Sequence, residues 1–531
     1  MDHIALVLVA ALVAGSVASL LRTPPMVGYL VAGFALVAAG VDEPPALDVV
    51  ADVGVALLLF GIGLKFDAGT LLRRQVWLPG TVSLVVTAAV ITGFLGLLGL
   101  AGSGLVADET VADLALLGLV LAFSSTVLAV TLLQERGAET SLVGRTAIGI
   151  LVVQDIAAVA LISAVHGRAP SPWALALVLL VPGAWVVGRL LPLLPRDDLR
   201  PLLGVVLALV PGYWLFDTVG LEGDLGALVV GVLIGGHPHA DGIAKSLLAP
   251  KDLLLVGFFL SIGFAGLPNG EELLLAAALV LLLPLKLVGF ALLLRFCGLR
   301  RRTSTRTAML LANYSEFALI AGVALAAGHM DDRWLTVLGT TVALGMVLSS
   351  AAGRHADRLT GPLRRRLPAG PDARLIPDDA PVDVGDAQVV VLGMGRVGRA
   401  AHEHLGEAYG QRVVGIEVDG ERVDELHELG LWVVHGDATD PDFWTRVCAT
   451  GVDIVVLAMP FHGNNLTALD LLRKGGFYGT VAFAAQRDQD LEEALENGAH
   501  TGIQLYAGAG TDLAARAAEA AGLASAGAPD A

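Results

Sequence analysis

The sequence predicts a polytopic α-helical membrane protein of about thirteen transmembrane helices, followed by an α/β Rossmann-like domain. Three observations predict it. Long apolar runs recur from Met1 to about Gly353, several exceeding the ~18 uncharged residues that mark a membrane span. The 531 residues are 55% hydrophobic and only 16% charged, a balance unusual for a soluble enzyme of this size. A strand-like apolar run at 388–392 leads directly into Gly393-Met-Gly-Arg-Val-Gly398, the order in which a dinucleotide-binding fold places its glycine loop.

These features divide the chain into a transmembrane domain at 1–353, a Pro/Asp/Arg-rich linker at 354–386 and a cytosolic domain at 387–531. Charge divides the same way. From Pro371 onward there are 26 acidic and 10 basic residues, a net of −16, against a formal total of −17 for the chain. An acidic soluble part excludes nucleic acid as a partner, because a phosphate-binding protein presents a basic patch. Cys297 and Cys448 lie far apart, without a C-x-x-C or Cys/His cluster, which points away from disulfides and transition metals. The first apolar segment lacks a basic leader and a small-residue cleavage site, so it reads as a retained span.

The expected spans are 3–21, 25–40, 48–64, 78–100, 113–134, 143–165, 172–190, 201–217, 221–236, 251–267, 272–294, 305–328 and 334–352. When the loops are assigned alternately to two sides, one side collects 21 Lys and Arg and the other only Arg168 and Arg333. Positive charge stays on the cytoplasmic side. The N-terminus is therefore expected outside and the C-terminal domain in the cytosol.

Ionisable residues inside spans are costly and point to function. Asp155, mid-way along the sixth span, would stay protonated in isolation and become an anion only when a cation replaces the proton. That is the chemistry of a cation/proton exchange site. A carboxylate fixed in a helix–helix hydrogen bond is the competing reading. Gln154 beside it offers an amide oxygen. Lys286, mid-way along the eleventh span, needs a partner, and Asp155 is the natural candidate; snorkelling to the interface is the alternative. The fifth span is interrupted by Phe123-Ser124-Ser125-Thr126 and the twelfth by Asn313-Tyr-Ser315-Glu316. Each stretch alone is compatible with hydroxyls that bond back to their own helix. Occurring fifth in spans 1–6 and fifth in spans 8–13, they form the matched pair of broken segments that marks an inverted-repeat transporter site. Glu316 is expected to balance the facing amide ends, or to pair with a cytoplasmic arginine.

In the cytosolic domain the glycine loop opens a helical pattern reaching about Tyr409. A second strand at 412–416 leads to Glu417, 24 residues after Gly393. This spacing places Gly393, Met394, Gly395, Arg396, Val397 and Gly398 at a phosphate and Glu417 at ribose hydroxyls. Asp419 is a rival acid past the strand end. No arginine is evident beside Glu417 to hold a 2′-phosphate. Further strands are expected near 431–435, 453–458 and 480–485. No catalytic constellation is visible, which favours a regulatory ligand over dehydrogenase chemistry.

Taken together, Gly28-Tyr-Leu-Val-Ala-Gly33, Leu59-Phe-Gly-Ile-Gly-Leu64, Phe123-Ser-Ser-Thr126, Gln154-Asp155, Gly257-Phe-Phe-Leu-Ser-Ile-Gly263, Ser315-Glu-Phe317 and Gly393-Met-Gly-Arg-Val-Gly398 with Gly436-Asp-Ala-Thr439 give the chain a family resemblance. It resembles the Kef-type potassium/proton antiporters of the monovalent cation:proton antiporter-2 family, which carry a cytosolic RCK/KTN (TrkA-N-like) nucleotide-binding domain. The resemblance implies an inverted-repeat sodium/proton-antiporter-like fold, with Asp155 as shared cation and proton carboxylate. It also implies a homodimer in a bacterial-type inner membrane, exchanging potassium or sodium for protons. The nucleotide implied is an adenine nucleotide, NAD(H) or AMP, held by the glycine loop, Glu417, Asp437 and Ala438, with no redox or transition-metal cofactor. Two positions depart: Lys65 stands where the family commonly has an acid, and Asp440 stands where glutathione-gated members carry a base, although Arg487 is retained. A ligand-gated potassium efflux channel is the alternative function; it would need a ring of carbonyls or charges about a pore. A membrane oxidoreductase lacks its catalytic residues and its haem or flavin cues.

Overall fold

The computed structural model describes residues 2–21, 23–64, 71–107, 109–166, 171–190, 199–221, 223–237, 240–264, 266–326, 331, 333–368, 375–380, 382–447 and 451–521. Arg22, Lys65, Arg168, Arg196 and Cys448 lie outside the described residues. The chain forms two compact units, a helical one drawn from residues 1–370 and an α/β one centred on 371–531.

In the helical unit, seven helices among the described residues are long and apolar enough to cross a membrane: Leu47–Leu64, Arg74–Leu100, Leu142–Ile162, Pro172–Arg189, Leu199–Thr218, Gly270–Phe296 and Arg333–Gly353. Shorter apolar helices run over Ala5–Leu20, Pro25–Ala38, Val111–Val120 and Leu225–Gly235. Each falls on an expected span. The two remaining expected spans differ in kind. The tenth is a 25-residue helix, Ala240–Phe264, that starts eleven residues before the expected 251. Lys245, Lys251 and Asp252 made its first turns read as a loop, yet Lys251 is folded back, its ammonium 3.0 Å from Asp252. The twelfth is broken, as the fifth is. Part of the expected linker is also helical: Ala356–Arg366 continues past the last span and ends in three arginines.

The eleventh span bends between Gly270–Val280 and Leu283–Phe296. Pro284 sits in the first turn of its second half, where the missing N–H is least costly. Two glycine pairs bring the halves of the unit together. The third span packs on the ninth and tenth, and the second on the tenth. A β-carbon on Gly33 would lie 2.7 Å from the Cα of Gly263, and one on Gly63 would lie 2.8 Å from the Cα of Gly231. Only hydrogen atoms fit between these backbones, the small-residue packing that replaces hydrophobic drive in lipid.

The second unit is a six-stranded parallel sheet in the order β3-β2-β1-β4-β5-β6. Its strands are β1 (Val389–Leu392), β2 (Val413–Glu417), β3 (Val433–His435), β4 (Ile454–Leu457), β5 (Thr480–Ala485) and β6 (Thr501–Gln504). β1, β2, β4 and β5 are rich in Val, Ile and Ala because helices cover both faces of such a sheet. β1 and β2 are buried at every position. β6 was not anticipated: Thr501-Gly-Ile-Gln504 is short and mostly exposed, so it lacks the apolar run of a central strand.

We expect Gly263→Val to destabilise the helical unit by about 1–3 kcal/mol through overpacking. Gly61→Ala, whose β-carbon would meet nothing within 4 Å, serves as the neutral control. Thermal unfolding of the purified protein followed by size-exclusion fluorescence checks both; equal midpoints would contradict the close-packing account.

Candidate functional site

The fifth span runs as Val111–Val120, breaks, and resumes as Thr126–Gln134. The twelfth runs as Arg301–Leu311, breaks, and resumes as Phe317–Ala326. A break inside a membrane frees amides and carbonyls that have no water to bond, so each needs a partner in the protein. The local sequence supplies the caps of both second halves. Ser125 Oγ accepts from the Leu128 amide at 3.2 Å, and Ser315 Oγ accepts from the Phe317 amide at 3.1 Å. Serine hydroxyls are good helix N-caps; Ser125 stands one residue before its half-helix and Ser315 two before its own.

The two breaks are bonded to each other and to their neighbours. Ser124 Oγ donates to the Leu311 carbonyl at 2.8 Å, and the Ser125 amide donates to Asn313 Oδ1 at 2.6 Å. The Ser124 amide donates to Gln154 Oε1 at 3.0 Å, and Gln154 Nε2 reaches Ser83 Oγ at 3.3 Å. Ser349 Oγ donates to the Ala312 carbonyl at 3.0 Å. The oxygen of Gln154, expected at the ion, is thus engaged in holding the fifth-span break.

Lys286 does not pair with Asp155. Its ammonium donates to the Phe123 carbonyl at 2.9 Å and to the Asn313 carbonyl at 2.7 Å, and it lies 5.5 Å from the centroid of the Tyr314 ring. The carbonyl ends of broken helices carry partial negative charge, and a buried cation between two of them is neutralised without a carboxylate. Spacing along the sequence could not reveal this, because the partners are main-chain atoms. Tyr314 is anchored by its hydroxyl, 2.6 Å from the Leu279 carbonyl.

Asp155 is buried, and its Oδ2 accepts a hydrogen bond from Thr126 Oγ1 at 2.9 Å. Among the described residues it forms no ion pair. Glu316 is also buried and close enough for its charge to act on Asp155. The Ser125 hydroxyl and the Val127 amide approach Glu316 from the start of the other half-helix without reaching hydrogen-bond geometry. This places Glu316 at facing amide ends. The structure therefore gathers Ser124, Ser125, Thr126, Gln154, Asp155, Lys286, Ser315 and Glu316 around two adjoining breaks. It adds Asn313 and Ser83, whose roles had no signal beyond polarity within an apolar run.

In the α/β unit the glycine loop joins β1 to the helix Arg396–Tyr409. Gly393 has φ +83, and a β-carbon on Gly398 would strike the Gly393 carbonyl. Only glycine fits either place. A β-carbon on Gly395, by contrast, would meet nothing within 4 Å, and the helix beginning there has no side-chain cap. Open space before uncapped amides fits a phosphate. Met394 is buried, while Arg396 and Val397 are exposed beside it.

Glu417 ends β2. Its carboxylate accepts from the amides of Met394 at 2.9 Å, Val418 at 2.8 Å and Asp419 at 3.2 Å. A carboxylate has about four acceptor sites, so capacity remains for a hydroxyl. Asp437 Oδ1 accepts from the Thr439 amide at 2.8 Å and its hydroxyl at 2.7 Å, in the turn after β3. Ala438 is buried, and its carbonyl accepts from the Trp444 indole at 2.7 Å. Because β1, β2 and β3 are neighbours, loop, Glu417 and Asp437 converge at one sheet edge, where this fold binds ligands. An arginine is present after all: Arg422 Nε donates to the Met394 carbonyl at 3.0 Å. The helix Gly420–Glu428 returns it to the loop from five residues beyond Glu417. Asp440, the departure from the glutathione-gated pattern, is buried.

A family model for the sodium/hydrogen exchanger transmembrane domain matches residues 7–352. The chain belongs to that family. A TrkA-N domain model matches residues 389–504. The chain is 31% identical over 492 residues to the glutathione-regulated potassium-efflux system protein KefC of Salmonella schwarzengrund (strain CVM19633), covering 88% of this chain and 76% of the relative. To the protein of that name from Enterobacter sp. (strain 638) it is 30% identical, covering 85% and 73%. Among solved structures it is similar to the sodium proton antiporter MjNhaP1 from Methanocaldococcus jannaschii. The identity there is 17%, coverage is 69% of this chain and 98% of that one, and the TM-score is 0.45. The TrkA-N domain of the inner membrane protein ybaL from Escherichia coli is 24% identical, covers 26% of this chain and 96% of that one, and gives a TM-score of 0.22. The protein is thus a multi-pass membrane cation:proton antiporter with a TrkA-N domain, a transporter and not an enzyme.

Lys286→Gln should destabilise the helical unit, because a charged donor to a buried carbonyl contributes about 1.5–3 kcal/mol per bond. The thermal midpoint of the purified variant should fall well below that of the parent protein. An unchanged midpoint would show that the ammonium is not what holds the two breaks.

Proposed function

We propose that this protein exchanges potassium for protons, with Asp155 as the one carboxylate that both ligands use in turn. The carrying observation is the contrast between two buried charges. Lys286 has two carbonyl partners, whereas among the described residues Asp155 accepts one hydroxyl and forms no ion pair. A buried carboxylate without a fixed counter-charge is neutral when protonated and needs a cation when it is not. Thr126 bonds it and Glu316 lies close enough for its charge to act on it, while Ser124, Ser125, Gln154 and Ser315 hold the two breaks, with Lys286 and Glu316 balancing the carbonyl and amide ends. Potassium as the cation is supported by the names of the relatives, and the side bearing 21 basic residues supports a cytoplasmic C-terminal domain. The protein works as a homodimer in a bacterial-type inner membrane.

The TrkA-N domain regulates transport by binding an adenine nucleotide, NAD(H) or AMP, through loop amides and Glu417. Asp437 and Ala438 line the same edge. The buried acid at Asp440 argues against the glutathione gating named in the relatives.

In proteoliposomes with an internal pH reporter, Asp155→Asn should abolish cation-driven proton movement while the protein still folds. Potassium and sodium supplied separately identify the ion; exchange at the parental rate in the variant would eliminate this site. Calorimetry on the full-length protein in detergent should show NAD bound more tightly than NADP, weakened by Glu417→Ala. If NADP binds as well as NAD, and Arg422→Ala removes that affinity, the arginine and not the acid sets the preference.

A further inference from the structure

We propose that Asn313 is a positioning residue for the exchange site: its side-chain oxygen, by holding the Ser125 amide, sets where the Thr126 hydroxyl meets Asp155. The inference rests on the reading of Asp155 as the exchanging carboxylate. Asn313 is fully buried and held at three points. Its amide donates to the Leu311 carbonyl at 3.0 Å, its own carbonyl accepts from Lys286 at 2.7 Å, and its Nδ2 donates to the Leu310 carbonyl at 2.7 Å. These bonds fix both the backbone and the rotamer. They also fix the orientation of the side-chain amide, since the flipped amide would set its oxygen against a carbonyl and its NH2 against an N–H.

One atom remains, Oδ1, and it receives the Ser125 amide at 2.6 Å from the opposite break. The next residue is Thr126, whose hydroxyl is 2.9 Å from Asp155. Peptide units are rigid, so whatever fixes the Ser125 amide fixes the start of the Thr126 backbone. Water cannot take over this bond at a site without exposure, and a freed amide there is costly. The break must then shift to find another acceptor, carrying Thr126 with it. The choice of residue follows. Asparagine places an acceptor and a donor one carbon beyond Cβ, facing opposite ways. Aspartic acid in its neutral form keeps the acceptor and can turn its O–H to the Leu310 carbonyl; alanine loses both.

The test uses full-length protein in proteoliposomes, with potassium titrated against an internal pH reporter. Asn313→Ala should raise the half-saturating potassium concentration roughly five- to tenfold, the loss of about one buried hydrogen bond. Thr126→Ala should do the same. The double variant should be little worse than either single one, because both changes break one chain of contacts. Asn313→Asp, whose neutral acid can serve both the Ser125 amide and the Leu310 carbonyl, should remain within about twofold of the parent at a pH where that acid stays protonated. A merely structural role for Asn313 predicts otherwise: a lower maximal rate from less folded protein, with half-saturation unchanged, and that result overturns the proposal. So does a double variant whose effect is the product of the two. If Asn313→Ala does not fold, Asn313→Asp decides: parental half-saturation supports the proposal, and a rise as large as that of Thr126→Ala refutes it. Exchange retained in Asp155→Asn would instead overturn the underlying site assignment, a separate and separately visible failure.

Discussion

Two helices stop and restart inside the apolar interior, and everything else in the membrane unit answers that constraint. Hydrocarbon offers nothing to a free amide or carbonyl. Each bond around the breaks is therefore a substitute for an absent helical one. Lys286 serves a carbonyl of each break, Ser124 and Ser349 serve two more, and Ser125, Ser315, Gln154 and Asn313 receive amides. The residues that look like an ion-binding cluster in the sequence are, for the most part, the backbone's own replacement partners.

That division gives the site its chemistry. In the proposed exchange, a charge with fixed partners keeps its state. Lys286 has two carbonyls as fixed partners, and in the proposed exchange it keeps its charge as a cation enters. Asp155, the proposed exchanging group, accepts a single hydroxyl and forms no ion pair among the described residues. The glycine loop of the α/β unit uses the same physics in water: a helix start with uncapped amides and no side chain at Gly395 leaves partial positive charge facing outward for a phosphate.

Much of this was legible in the residues, and the gaps have physical causes. Both breaks were readable because Ser, Thr, Asn and Glu are expensive at membrane depth. The sheet was readable because parallel strands are apolar throughout; β6 escaped because an exposed edge strand such as Thr501–Gln504 carries no such run. The early start of Ala240–Phe264 was hidden by Lys245, Lys251 and Asp252, of which Lys251 pairs with its neighbour Asp252. Lys286 was expected to seek a carboxylate, and sequence cannot show that two carbonyl groups are nearer. Arg422 lay five residues past Glu417, and only the turn of the helix Gly420–Glu428 carries it to the Met394 carbonyl.

The central claim is that one carboxylate holds the proton and the cation by turns. It is tested most directly by proton release from detergent-solubilised protein in weak buffer when potassium is added. The account predicts that protons appear as the cation binds, saturating with it and diminishing as the starting pH rises and Asp155 is already ionised. Saturable potassium binding with no proton released at any pH would contradict it.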